Sequence, residues 1–374
     1  MKKRHYKPVN TQRLERWLGA EKIAHLQQSM RGWYGRPIYL IDVPGNVWID
    51  ADGQFTGDFK HGFFACALDS LEDYIRRFWH EAGRPQYGQF AVGFASISDA
   101  LARASQGNSQ RRNFNKVGAA GVIGVTNTLW RVGPQPAAGS AGGAAPGGTA
   151  HTSADTGALF YSNPASGTLH LVGADVGAGV AQNSLLIYDR LFSVTKTMNS
   201  TAAETVTGTP TRYQNSSALA SDFSGDNFLF VEVGGTALAA TAHNWTGTYT
   251  NESGTAGQTL PSLTGNASAI VDRLDHPTQS WFMPLASNDE GIKALTQMTC
   301  SAAVATGAIN FCIGHPIGFM SFPINNAIIP FDWLTNRDQT PRIFDNACLA
   351  GLELLKPTAG SCTYTGRLVF TSAA

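Results

Sequence analysis

The stretch Thr363-Tyr364-Thr365-Gly366-Arg367-Leu368-Val369-Phe370 sets the reading of the chain. A period of two places Tyr364, Leu368 and Phe370 on one face and Thr363, Thr365 and Arg367 on the other, the signature of a half-buried β-strand. Similar runs recur upstream with turn residues between them: Thr168–Val172, Ser184–Met198, Glu204–Tyr213, Asn227–Val233, His243–Thr250, Ser280–Leu285, Ile292–Ala302, Ala308–Ile313 and Leu349–Leu355. No long helical period interrupts them. Strands at this spacing predict an antiparallel β-sandwich or barrel over residues 118–374. Pairing of about eight strands from Ser184 onward predicts a jelly-roll-like order, with Pro316–Asp345 as a long crossover loop.

Residues 1–117 read differently. Helical periods run from Thr11 to Met30 and from Ser70 to Ala82, and a short helix is expected from Ser98. The strand-like runs Pro37–Val43 and Val47–Phe55 flank Pro44-Gly45-Asn46, a hairpin signal, and Gln89–Ala95 is another strand candidate. The region is thus expected to be an α+β anchoring domain, followed by the sandwich domain. Within the latter, residues 134–157 form a Gly/Ala-rich tract with no obvious core residue, expected to be a surface strap.

Charge follows the same division. Residues 1–117 hold 17 of the 27 Lys and Arg and 11 of the 27 Asp and Glu, so the formal zero joins a basic region to an acidic one. Only 14% of residues are charged, about half the usual share, and so little charge suits a surface covered by neighbours. Lys2, Lys3, Arg4 and Lys7 form one basic cluster and Arg111, Arg112 and Lys116 a second. Both are candidate anchors. Docking to a protein is preferred to nucleic-acid contact, because no folded nucleic-acid motif accompanies them.

Searches for chemistry give little. No apolar run follows the basic N-terminus or reaches membrane-spanning length, so neither an export signal nor membrane contact is expected. The five cysteines lack metal spacing, and the closest acid–histidine grouping, Asp272, Asp275 and His276, reads as a solvated loop. Acids such as Asp222, Asp226, Glu232, Asp289 and Glu290 are unmarked as a glycosidase pair, and there is no Gly-x-Ser-x-Gly elbow. Asp50-Ala-Asp52-Gly53 departs from a calcium loop by its early glycine and by His61 at the last ligand position. No catalytic residue, metal or other cofactor is expected. Trp245, Trp281 and Trp333 are candidates for a subunit interface or, alternatively, a sugar platform.

The segments Asn183-Ser-Leu-Leu-Ile-Tyr-Asp189-Arg190-Leu191, Thr248-Tyr-Thr-Asn251-Glu-Ser-Gly-Thr-Ala-Gly257 and Pro284-Leu-Ala-Ser-Asn-Asp-Glu-Gly291-Ile292 resemble β-rich virion proteins of tailed bacteriophages. The resemblance spans residues 118–374. It implies a non-enzymatic minor capsid, cement or decoration protein, folded in the host bacterial cytoplasm and ending in the virion. Its expected partners are further copies of itself, for example as a trimer, and the major capsid protein. A carbohydrate-recognising tail or receptor-binding protein is the alternative. A major capsid shell protein fits less well, since the long spine helix of that fold has no counterpart in the sequence.

Overall fold

The computed structural model describes residues 38–43, 47–49, 55–57, 62–67, 94, 97–105, 107, 109–218, 220–304, 307–334 and 341–373, the first four ranges as backbone strands alone. The chain divides into two units, Met1–Tyr87 and Gly88–Ala374. In the first, β1 (Ile38–Val43) pairs antiparallel with β4 (Gly62–Ala67), and β2 (Val47–Ile49) pairs with β3 (Phe55–Gly57). The expected hairpin across Pro44-Gly45-Asn46 is therefore replaced by a nested arrangement, in which the outer strands pair around the inner hairpin. The two helices expected at 11–30 and 70–82 lie outside the described residues.

The second unit opens with α1 (Ile97–Ser105), matching the short helix expected from Ser98. Its long strands are β5 (Ser109–Val117), β7 (Thr168–Ala178), β8 (Asn183–Thr197), β9 (Phe228–Gly234), β10 (Asn244–Asn251), β11 (Ile292–Cys300), β12 (Ala308–Phe322), β13 (Ile328–Asp332), β14 (Leu349–Leu354) and β15 (Thr363–Ala373), with the two-residue β6 (Asn127–Thr128) after β5. They form three antiparallel sheets. The first has the order β13-β7-β15-β5, and the second β9-β12-β8-β14-β6. The third is built on β10 and β11, with Glu204–Thr205 and Gln258–Thr259 at its edges.

Burial follows from the side-chain pattern. In β15, Tyr364, Leu368 and Phe370 point inward while Thr363, Thr365 and Arg367 stay exposed, as the alternation predicts. Leu169, Leu171 and Val176 of β7 join them against Leu185 and Ile187 of β8 and Met320 of β12. A second core lies between Leu191 and Val194 of β8, the inward residues of β9, Trp245 and Tyr249 of β10, and Met298 of β11. Strands β8 and β12 serve both cores because each is 15 residues long. Register shifts at Ile187/Tyr188 and Arg190/Phe192 mark the β-bulges between the two regions.

The domain boundary expected at 117/118 is corrected. β5 pairs along its length with β15, from Thr363↔Val117 to Thr371↔Ser109, so residues 109–117 belong to the β unit. The sequence of β5, SQRRNFNKV, shows no apolar alternation because Phe114 is its one large apolar residue. Similarly, β13 lies inside the expected 316–345 loop: it is an edge strand with Pro330, where a missing N–H is tolerated.

Candidate functional site

The outer face of the β8–β12–β14 sheet carries a cluster of buried polar side chains. At its centre Arg190 of β8 binds Glu232 of β9 through two hydrogen bonds, Nη1–Oε2 at 3.1 Å and Nη2–Oε1 at 2.6 Å. Asn310 Nδ2 donates to the same carboxylate at 3.1 Å. The Arg190 guanidinium stands 5.0 Å from the Trp130 ring centroid, a cation–π contact. Arg190 and Glu232 are both fully buried, and the guanidinium holds the Glu232 carboxyl below its ordinary range despite desolvation.

The 134–157 tract lies against this face. Trp130 Nε1 donates to Ser140 O at 2.7 Å, and Gly139 N donates to Trp130 O at 2.8 Å. A Cβ at Gly139 or Gly157 would run into the Trp130 indole, so the glycines let the backbone lie flat on the ring. Gly143–Ala144 and Thr149–Ala150 add short pairings to β8. The surface strap expected here is thus held flat against the sheet as a cover, and its composition is a packing requirement.

His151, within this cover, accounts for the closest approach to a catalytic pattern. Its Nδ1 lies 2.6 Å from Asp155 Oδ2 and its Nε2 2.7 Å from Ser193 Oγ. Arg190 Nε donates to the same Nε2 at 3.3 Å, so that nitrogen accepts, the ring proton sits on Nδ1, and Ser193 donates. Burial first, and then Arg190, push the His151 pKa down to about 4, which keeps the ring neutral at neutral pH. Serine, histidine and carboxylate stand in the order of an acyl-transfer relay. Yet Ser193 and His151 are fully buried, and an attacking serine must be reachable by a carbonyl carbon. In this arrangement the three groups tie the cover to β8.

Other expected site residues are distributed differently. Lys2, Lys3, Arg4 and Lys7 lie outside the described residues. Arg111 and Arg112 sit on β5, the first exposed and the second half-buried. Lys116 is corrected from anchor to interior residue: it is 2% exposed, donates to Val132 O at 2.8 Å, and burial lowers its pKa to about 8. Trp245 and Trp333 are also interior and so are removed from any surface platform. Trp245 donates to Asp275 at 2.8 Å, and Trp333 packs in the core between β7 and β12. The solvated loop expected at Asp272, Asp275 and His276 is corrected too. Asp275 and His276 are fully buried, with His243 2.6 Å from the Asp275 carboxylate and Val231 N donating to His276 Nε2 at 2.9 Å.

Trp281 alone reaches the surface, in an apolar rim that the sequence did not mark. Its ring lies 4.8 Å from Phe282, 6.0 Å from Phe319 and 5.0 Å from Phe228. Phe282 is 45% exposed and Phe319 41%. Backbone bonds from Gln279 N to Gly124 O and from Gly124 N to Lys356 O join the Trp281 loop to segments bearing exposed Val122, Ile123 and Leu355. Such residues are widely spaced in sequence, so only the fold assembles them. No protein-family model matches the chain, and no curated protein or solved structure shows significant similarity to it.

Proposed function

We propose that the chain is a non-enzymatic structural component of a tailed-phage virion, a capsid-associated subunit of the minor, cement or decoration kind built on a jelly roll. The observation that carries this reading is strand order. Taking β5, β6, β7, β8, β12, β13, β14 and β15 as eight successive strands, one sheet reads first-eighth-third-sixth and the other second-seventh-fourth-fifth. This order supports reading the eight strands as a jelly roll, an architecture shared by viral capsid proteins and lectins. Residues 198–307 enter as an insertion between the fourth and fifth strands and supply β9, β10 and β11. On this reading the eight strands begin at Ser109 rather than at Ser184.

Two further features support assembly. The charge-poor composition favours a covered surface, and the rim around Trp281, Phe282 and Phe319 offers apolar area to a second copy or a neighbouring virion protein. Virions purified on a density gradient from cells producing this chain are expected to carry it in a fixed ratio to the shell protein. Its absence from particles overturns the proposal.

The same rim favours a second reading, carbohydrate recognition, because paired exposed aromatic rings stack on sugars. In that case glycan-array binding is lost in Phe282→Ala and Trp281→Ala, while Trp333→Ala acts only through stability.

A further inference from the structure

We propose that His151, Asp155 and Cys348 form a binding site for a borderline-soft divalent cation of the zinc class, which fastens the 134–157 cover to the sheet. One ligand atom from each of the three residues lies within 4.8 Å of the others. Around a tetrahedral zinc with bonds of about 2.0–2.3 Å, donor atoms sit roughly 3.3–3.6 Å apart. A side-chain adjustment of about an ångström therefore closes the site around the ion.

Three features make this donor set more than a coincidence of titratable groups. The ligands come from two segments: His151 and Asp155 sit four residues apart on the cover, and Cys348 stands immediately before β14. The Cys348 thiol makes no hydrogen bond among the described residues, whereas its backbone is fixed by Cys348 N donating to Asp189 Oδ1 at 2.8 Å. The far side of the imidazole also has a partner, since Nε2 lies 2.7 Å from Ser193 Oγ, a hydroxyl that donates to it without the ion and can turn to accept its proton when Nδ1 binds metal. Asp155 has a side chain 29% exposed and gives the site its route to solvent.

Charge and softness select the ion. The Asp155 carboxylate and a Cys348 thiolate neutralise a dication, and the nearby Arg190 is already balanced by Glu232. One sulfur and one imidazole disfavour magnesium and calcium, which take oxygen ligands, and favour zinc or cobalt(II). On binding, the imidazole proton moves from Nδ1 to Nε2 and is donated to Ser193 Oγ, whose hydroxyl turns away. Arg190 Nε gives up its 3.3 Å bond to that nitrogen, and the thiol proton leaves to solvent. One proton is released per ion, so affinity should rise about tenfold per pH unit below the thiol pKa.

Cobalt(II) titration of the full-length reduced chain, after dialysis against chelator, tests the assignment. The expected result is one equivalent bound, with a thiolate-to-cobalt charge-transfer band and tetrahedral visible bands that zinc displaces. Cys348→Ser should remove the charge-transfer band, and Asp155→Asn, at a partly exposed position, should weaken binding at least tenfold with circular dichroism unchanged. Ser193→Ala, an outer-shell change, should weaken binding about 10–100-fold and keep the band. A wild-type chain with no charge-transfer band overturns the proposal, as does a band that survives in folded Cys348→Ser through another of the four remaining cysteines.

Discussion

Arg190 and Glu232 show how single residues hold this molecule. Each is fully buried, and together with Asn310 and Tyr188 they satisfy one another's hydrogen bonds. Desolvation makes such a pair a modest source of net stability, but removal of one partner strands a buried charge, at a cost of about 3–5 kcal/mol. Glu232→Gln should therefore lower unfolding free energy by about that amount in denaturant titrations, and Glu232→Gln with Arg190→Met should lose less than the sum of the two single changes. The histidines set the response to acid. Burial lowers His151 to about 4 and His276 and His315 to about 3, while His243 is raised by its Asp275 partner. Below the unfolded value of 6.5, three rings gain protons mainly in the unfolded chain and one holds its proton better when folded. Stability should fall as pH drops from 6.5 toward 4, by about 1.4 kcal/mol per pH unit for each net proton. Melts at pH 7, 6 and 5 check this, and flat stability across the range contradicts it.

At the scale of elements, the Gly/Ala-rich tract is the instructive case. Composition made it a strap, and composition alone carries no information about what a glycine lies against. Here the backbone rests on Trp130 and Phe192, and Gly148 also has φ at +62°. Gly139→Ala should expel the tract from the indole and destabilise the fold by about 1–3 kcal/mol, whereas Gly147→Ala, with open space beside it, should be near neutral. Long strands with period-two patterns, such as β15 and β10, were legible because one face is wet and the other dry. Strand β5 was not, since its inward positions include Lys116, whose ammonium is satisfied by carbonyl oxygens of the following loop. Likewise the His151–Asp155–Cys348 grouping joins residues almost two hundred positions apart, which no spacing rule would find.

For the whole molecule, the position of β5 has a direct consequence. The basic residues Arg111, Arg112 and Lys116 are carried by a strand of the first antiparallel sheet, hydrogen-bonded to β15. A chain beginning at residue 88 should unfold cooperatively, while one beginning at 118 loses β5 and should be insoluble or melt at much lower temperature. Equal stability of the two truncations would contradict the pairing. The proposed assembly role draws further support from the exposed rim, whose apolar side chains a neighbouring subunit would cover. Light scattering coupled to size-exclusion chromatography measures this directly. A defined oligomer that is an integer multiple of the 39.8 kDa chain is expected, with a shift to monomer in Phe282→Ser with Phe319→Ser. A wild-type chain that remains at one chain mass up to about 100 μM, well above the dissociation constants of specific interfaces, would contradict it.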